Sequence, residues 1–208
     1  SWLGRLNNIR TALQGQQGDR RLRLGIAGGE WKKMMADATA RTRFASEVKK
    51  IIEQYDFDGV DFDFEWPANA SEYNNYSATV IQMRSTLGKY VYFTASLHPV
   101  SFKISPEAID ALDFISYQCY GPAVMRFPYE QFVKDGEAAV AYGIPKNKLV
   151  MGVPFYGSTG SLIAAYCDFV NDGLATTNED TYTYKGNTYT FNSIETIRKK
   201  ARYVCEED

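Results

Sequence analysis

The chain has 208 residues, about one domain on the usual length scale. With 45% hydrophobic and 14% aromatic residues it can bury a sizeable core, which excludes a disordered segment. Net charge is −2 with Lys and Arg scattered, so nothing points to nucleic acid or an anionic membrane as partner, and no apolar run approaches the roughly 20 residues of a membrane helix.

The chain opens at Ser1, with no Met or signal peptide in view. Arg21–Ala27 (RLRLGIA) then reads as a strand ending at Gly28-Gly29. Arg41–Tyr55 places Phe44, Val48, Ile51, Ile52 and Tyr55 on one face, which predicts an amphipathic helix. A strand follows from about Gly59 to Trp66. Tyr73, Tyr76, Val80, Met83 and Leu87 then recur at helical spacing, with Gly88 as the stop. Tyr90–Leu97 is β-rich, and Ser105-Pro106 opens a short helix with a cap followed by Pro at its first position. Phe114–Tyr120 reads as a strand, Tyr129–Tyr142 as a helix up to Gly143, and Leu149–Phe155 as a fifth strand. Further on, Thr181–Phe191 predicts a hairpin turning at Lys185-Gly186-Asn187. The last element is a helix over Ser193–Val204, with Asn192 and Glu195 as its capping box.

Strands alternating with amphipathic helices imply parallel βαβ units. The choice lies between a closed (β/α)8 barrel and an open doubly wound sheet. Neither GxGxxG nor a P-loop follows any strand, which weakens the nucleotide-binding alternative. Three cysteines, Cys119, Cys167 and Cys205, are too few and too dispersed for a zinc knuckle or a disulfide framework. The single histidine, His98, argues against a His-rich metal site or a Ser-His-Asp triad. No metal or cofactor is expected, and acid–base chemistry falls to carboxylates.

Those carboxylates cluster. DFDGVDFDFEWP packs five acids between Asp56 and Glu65, among Val, Phe and Trp. Strand parity puts Gly59, Asp61, Asp63 and Glu65 on one face and Asp58, Val60, Phe62 and Phe64 on the other. In a parallel barrel the apolar face packs under the helices and the acidic face points inward, near the strand end where barrel enzymes keep their chemistry. The three acids are spaced about 6.6 Å apart along the backbone. In a partly desolvated site they do not all ionise cheaply, so at least one pKa is expected to rise, and a retained proton is what a general acid needs. A salt-bridge network or a hard-cation site is the plainer reading, although a flat strand face offers a line of ligands, not a cage.

The run from Asp58 to Glu65 resembles the DxxDxDxE signature of glycoside hydrolase family 18, the chitinase family. Ile26-Ala27-Gly28-Gly29 resembles the family's SxGG, with Ile26 in place of Ser. Asp113–Tyr120 resembles the sixth-strand pattern ending in MxYD, with Gln118 for Met and Gly121 for Asp. Lys148–Gly157 resembles the seventh strand, with Ser158 where Arg is usual. The resemblance runs over about residues 5 to 204. It implies a (β/α)8 TIM-type barrel of which the third to seventh strands are recognisable. Residues 1–208 would then form a single partial catalytic domain, with 158–192 as a loop and hairpin insertion. The family's first, second and eighth strands are not visible.

By the same resemblance, Glu65 is the general acid, kept protonated by its neighbouring carboxylates. Asp63 holds the substrate's 2-acetamido N–H, Asp61 shares a proton with Asp63, and Tyr120 bonds the acetamido carbonyl. Asp58 is structural. The implied substrate is chitin or another N-acetylglucosamine-containing oligosaccharide, and the implied setting is extracellular. Trp31 is a candidate sugar-stacking platform, and Gln118 and Tyr156 are further candidate substrate contacts. An endo-β-N-acetylglucosaminidase acting on N-glycans and an inactive chitin-binding lectin are the rival readings.

Overall fold

The computed structural model describes residues 1–18, 20–174 and 178–206. Residues 175–177, inside the expected insertion, lie outside the described residues. After helix α1 (Trp2–Gln14), five strands β1 (Arg23–Ile26), β2 (Gly59–Phe62), β3 (Tyr92–Leu97), β4 (Phe114–Tyr117) and β5 (Leu149–Met151) form one sheet in chain order. Every pair in it is parallel. The crossovers are α2 (Trp31–Ala36) with α3 (Ala38–Gln54), α4 (Ala70–Leu87), α5 (Pro106–Ala111) and α6 (Tyr129–Tyr142). The strands end earlier than their composition suggests: β2 stops at Phe62, not Trp66, and β4 at Tyr117, not Tyr120. Those extra residues carry the candidate site, so they belong to the loops at the strand ends. Among the described residues β1 and β5 are the edges of an arc, and the sheet does not close on itself.

Helix ends follow the local signals. Ser105 Oγ accepts from the Ala108 N–H at 3.2 Å and Pro106 sits in the first turn of α5. Gly143 closes α6 with φ +117°, a left-handed conformation that favours glycine. One cap differs from expectation. Ser193, not Asn192, caps α8 (Ile194–Glu206), because Ser193 Oγ accepts from the Thr196 N–H while the Asn192 amide turns inward to the Phe127 carbonyl.

A second, antiparallel sheet of order β7-β6-β9-β8 follows β5. Its strands are β6 (Tyr156–Ser158), β7 (Ile163–Ala165), β8 (Thr181–Tyr184) and β9 (Asn187–Thr190), with α7 (Tyr166–Asn171) after β7. The hairpin β8–β9 pairs Tyr184 with Asn187, so its turn is the two residues Lys185-Gly186, both at positive φ. Phe169 centres a small cluster of Ala164, Tyr189 and Phe191 here.

The main core lies between the parallel sheet and its helices. Val60, Phe62 and Phe64 are buried in it beside Tyr76, Val80, Met83 and Phe93, so alternation along β2 sends the apolar residues to the helices and the acids to the opposite face. Cys119 is buried in the same core and its thiol is pushed up by burial. Among the described residues, no helix is long and apolar enough to cross a membrane.

Candidate active site

In a parallel sheet all strands end on the same side, so residues just past β2, β3, β4 and β5 meet at one rim. Asp63 extends the β1–β2 ladder through its N–H to the Ile26 carbonyl at 2.9 Å, and Gln118 extends β3–β4 through the Leu97 carbonyl at 2.8 Å. The rim therefore holds Asp63 and Glu65 after β2, His98 after β3, Gln118 and Tyr120 after β4, and Tyr156 at the start of β6. The Glu65–Trp66 and Gly121–Pro122 peptides are cis.

Asp61, the innermost acid, is met by three partners. Its carboxylate pairs with Arg23 Nη1 at 3.2 Å and accepts from the hydroxyls of Thr94 and, at 3.1 Å, Ser96. Arg23 also lies over the Phe114 ring at 4.9 Å. Asp63 stands next in the row and accepts from Gln118 Nε2 at 3.3 Å. Burial, and then the Asp61 charge, push the Asp63 carboxyl above its ordinary pKa, with Gln118 pulling the other way. The carboxyl that is costliest to ionise thus lies at the half-buried centre of the row, while Glu65 lies exposed at the rim. Asp58 is on the far side of the strand. Its carboxylate accepts from the Leu22 N–H at 2.6 Å and its own N–H bonds the Leu22 carbonyl, tying β2 to β1.

Opposite the row stands Tyr120, half-buried, with Tyr156 edge-on at 6.3 Å between ring centroids. Burial, Tyr156 and the Asp63 and Glu65 charges all raise the Tyr120 phenol, so it stays a hydrogen-bond donor. The glycine after it is dictated by its neighbour. Gly121 has φ +35°, and an added Cβ there would lie 2.6 Å from Tyr156 Oη. The Tyr156 hydroxyl occupies the space that a side chain at position 121 would need.

Tyr156 is held from behind by Phe127, edge-on at 5.6 Å. The Phe127 carbonyl accepts from Lys200 Nζ at 2.7 Å and Asn192 Nδ2 at 2.8 Å. Lys200 is fully buried, and burial lowers its pKa to about 8. Between that value and the ordinary lysine range, the folded chain has released a proton that the unfolded chain still holds, so stability rises with pH across this window. The margin of wild type over Lys200→Met in urea unfolding is expected to widen from about pH 7.5 to 9.5. A margin flat across that interval contradicts it.

One expected contact is corrected. Trp31 is 6% exposed, packed against Phe64 at 5.9 Å and Tyr76 at 6.2 Å, with Lys32 Nζ 5.4 Å from its ring centre. It is the first residue of α2, turned under the sheet, and has no ring face left for a pyranose. Ile26 likewise packs against the core. Three further site residues escape sequence reading. Arg23 reaches Asp61 across a strand register that no local pattern reveals. Thr94 and Ser96 are hydroxyls on one parity of an otherwise apolar strand, and that alternation is the signal that could have found them. Among the described residues, no three or more of His, Cys, Asp and Glu are grouped to hold a metal ion.

The sequence model of glycosyl hydrolases family 18 matches residues 4–208. The chain belongs to glycosyl hydrolase family 18. This family 18 chain is 26% identical over 189 residues to the Drosophila melanogaster protein named probable chitinase 2, a match covering 73% of this chain and 37% of that one. It therefore spans well under half of that relative. A solved chitinase from Bacteroides thetaiotaomicron superposes with a TM-score of 0.82 at 22% identity, over 99% of this chain and 71% of that chain. The class V chitinase of Nicotiana tobaccum, solved in complex with NAG4, superposes with a TM-score of 0.72 at 17% identity, over 97% of this chain and 77% of that chain. The fold is that of the family's (β/α)8 enzymes, of which the five parallel strands form an arc.

Proposed function

We propose that this chain is a chitinase-type catalytic domain that cleaves β-1,4-linked N-acetylglucosamine chains with retention, the substrate's own acetamido group acting as nucleophile. The observation that carries the reading is the inward row Asp61, Asp63 and Glu65 with Tyr120 across from it. Glu65, exposed at the rim, gives its proton to the glycosidic oxygen as the C1–O bond breaks. The acetamido carbonyl oxygen attacks C1 and forms a cyclic oxazolinium ion. Asp63 accepts the acetamido N–H and its charge offsets the cation, while Tyr120 donates to the acetamido oxygen. Water then opens the ring at C1, giving its proton back to Glu65. Two inversions leave the configuration retained; family 18 is an exception to the two-carboxylate scheme. Gln118 positions Asp63, and Tyr156 walls the acetamido pocket beside Tyr120. Residues 1–208 act as one domain with 158–192 as an insertion, and an extracellular setting belongs to the same reading. The chain bound in the Nicotiana enzyme supports the substrate class.

The test is the anomeric composition of fresh products from chitooligosaccharides, followed by proton NMR, with a high-mannose glycopeptide assayed in parallel. β-Anomer appearing first, from the chitooligosaccharide alone, is expected. Initial α-anomer refutes the mechanism, and preferential cleavage of the glycopeptide refutes the substrate.

A pH prediction follows from Asp63. Its folded-state pKa is raised, so its contribution to stability is present at low pH and is lost as pH rises through that pKa. Asp63→Asn is therefore expected to melt at higher temperature than wild type at pH 7, and the gain should shrink toward pH 4. For activity, Asp63 must ionise to accept the acetamido N–H. Removing the neighbouring charge in Asp61→Asn should move the acid limb of the residual kcat/KM to lower pH, and a limb that stays put or moves up contradicts the assignment.

A further inference from the structure

The reading above leaves unused the one histidine of the chain, which sits at the rim but is only 1% exposed. His98 directly follows β3, the strand between β2 and β4, whose trailing loops carry Glu65 and Tyr120. Its Nε2 lies 2.9 Å from the Tyr120 carbonyl and 2.6 Å from the Gly121 carbonyl. Both are acceptors, so Nε2 carries the hydrogen and shares it between them. Nδ1 accepts from the Val100 N–H at 3.2 Å, which fixes the tautomer from the other side. The imidazole face lies on the Trp66 indole at 4.6 Å between centroids, inclined by 34°, and Trp66 is the residue after Glu65.

The same turn makes a second grip. Ser101 pairs with His98 through its N–H to the His98 carbonyl at 2.7 Å. Its hydroxyl donates to the Pro67 carbonyl at 2.6 Å and accepts from Tyr73 Oη at 3.0 Å, with Ser101 itself 2% exposed. The turn from His98 to Ser101 therefore touches the segment Glu65-Trp66-Pro67 and the segment Tyr120-Gly121 at once. These two segments are otherwise loops past the ends of strands that are not adjacent in the sheet.

We propose that the His98–Ser101 turn is a clasp that sets the distance between Glu65 and Tyr120, with His98 as a positioning residue held in the Nε2–H form. This rests on the roles given above to Glu65 and Tyr120. The consequence is kinetic: misplacing catalytic groups by about 1 Å costs on the order of a hundredfold in rate, with substrate still bound by the rest of the cleft. Gln places an amide N–H₂ near the Nε2 position, and Asn is too short to reach.

The experiment compares His98→Asn, His98→Gln and Ser101→Ala with wild type and Glu65→Gln on chitooligosaccharides. For His98→Asn, kcat should fall by roughly ten- to a hundredfold with KM within about threefold, and His98→Gln should recover most of it. Ser101→Ala should fall between. Equal loss in His98→Asn and His98→Gln, or a change confined to KM, overturns the proposal. ¹⁵N imidazole spectra of the wild type supply a readout that needs no variant to fold: a protonated Nε2 with an unprotonated Nδ1 is expected, and the reverse tautomer overturns the clasp. If Glu65→Gln retains full rate, the proposed chemistry itself fails. If Glu65→Gln is inactive and the His98 variants keep wild-type kcat, only the clasp fails.

Discussion

Replacing Glu65 with Gln is expected to lower kcat on chitooligosaccharides by about 10²- to 10⁴-fold, the usual contribution of a positioned proton donor, with little change in melting temperature. The amide keeps the size of the carboxyl but has no proton to give the leaving oxygen. The side chain is exposed and no hydrogen bond from it organises the fold among the described residues, so structure and binding should survive. The measurement is steady-state kinetics on wild type and variant, with oligosaccharide binding by calorimetry. Retention of full rate by Glu65→Gln would remove the general acid from the mechanism. The same comparison separates an enzyme from a chitin-binding lectin, since a lectin binds alike in both forms and cleaves in neither. Asp63→Asn provides the contrast within the row. It should also lose activity, yet gain stability at neutral pH, because it removes a carboxyl that is costly to ionise in place.

The second large effect concerns a residue with no side chain. Gly59 starts β2 and is paired with Tyr92 of β3. An added Cβ at Gly59 would fall on the Tyr92 carbonyl oxygen, with Tyr92 Cβ at 2.5 Å and its carbonyl carbon at 2.8 Å. The obstacle is backbone in the middle of the parallel sheet, which cannot swing aside as a flexible side chain can. Gly59→Ala is expected to destabilise the fold by at least the ~1–3 kcal/mol of a typical overpacking change, seen as a lower urea midpoint at unchanged slope. Loss of activity should track loss of fold, since Asp61 is two residues away. A midpoint within error of wild type would show that β2 and β3 are not in this register. The glycine of the carboxylate run thus serves strand packing, whereas the acids after it serve the site.

The readable part of the molecule was its short-range order. Residues 59–65 alternate, and a strand alternates, so the division of Val60, Phe62 and Phe64 from Asp61, Asp63 and Glu65 needed no partner strand. The same locality made the Ser105-Pro106 helix start and the Gly143 stop readable, since a cap is settled within three or four residues. Trp31 failed for the complementary reason. It opens a six-residue helix, too short for a periodic pattern, and whether its ring faced cleft or core depended on how α2 lay against Phe64 and Tyr76. Asn192 failed likewise. It suits a helix cap, but its amide found the Phe127 carbonyl, 65 residues away in the chain.

By itself, then, the sequence determined the βα rhythm, the inward row of acids and the family resemblance, because each is written in residues a few positions apart. Only the tertiary structure decided which charges and carbonyls face one another. Arg23 meets Asp61 because β1 and β2 pair with Gly25 opposite Asp61, which leaves the arginine one inward position below the acid. His98 meets Trp66, Tyr120 and Gly121 because parallel strands in the order β2-β3-β4 end on one side of the sheet. No residue near His98 in the chain announces those neighbours, since it is the pairing of whole strands that brings them within hydrogen-bonding reach.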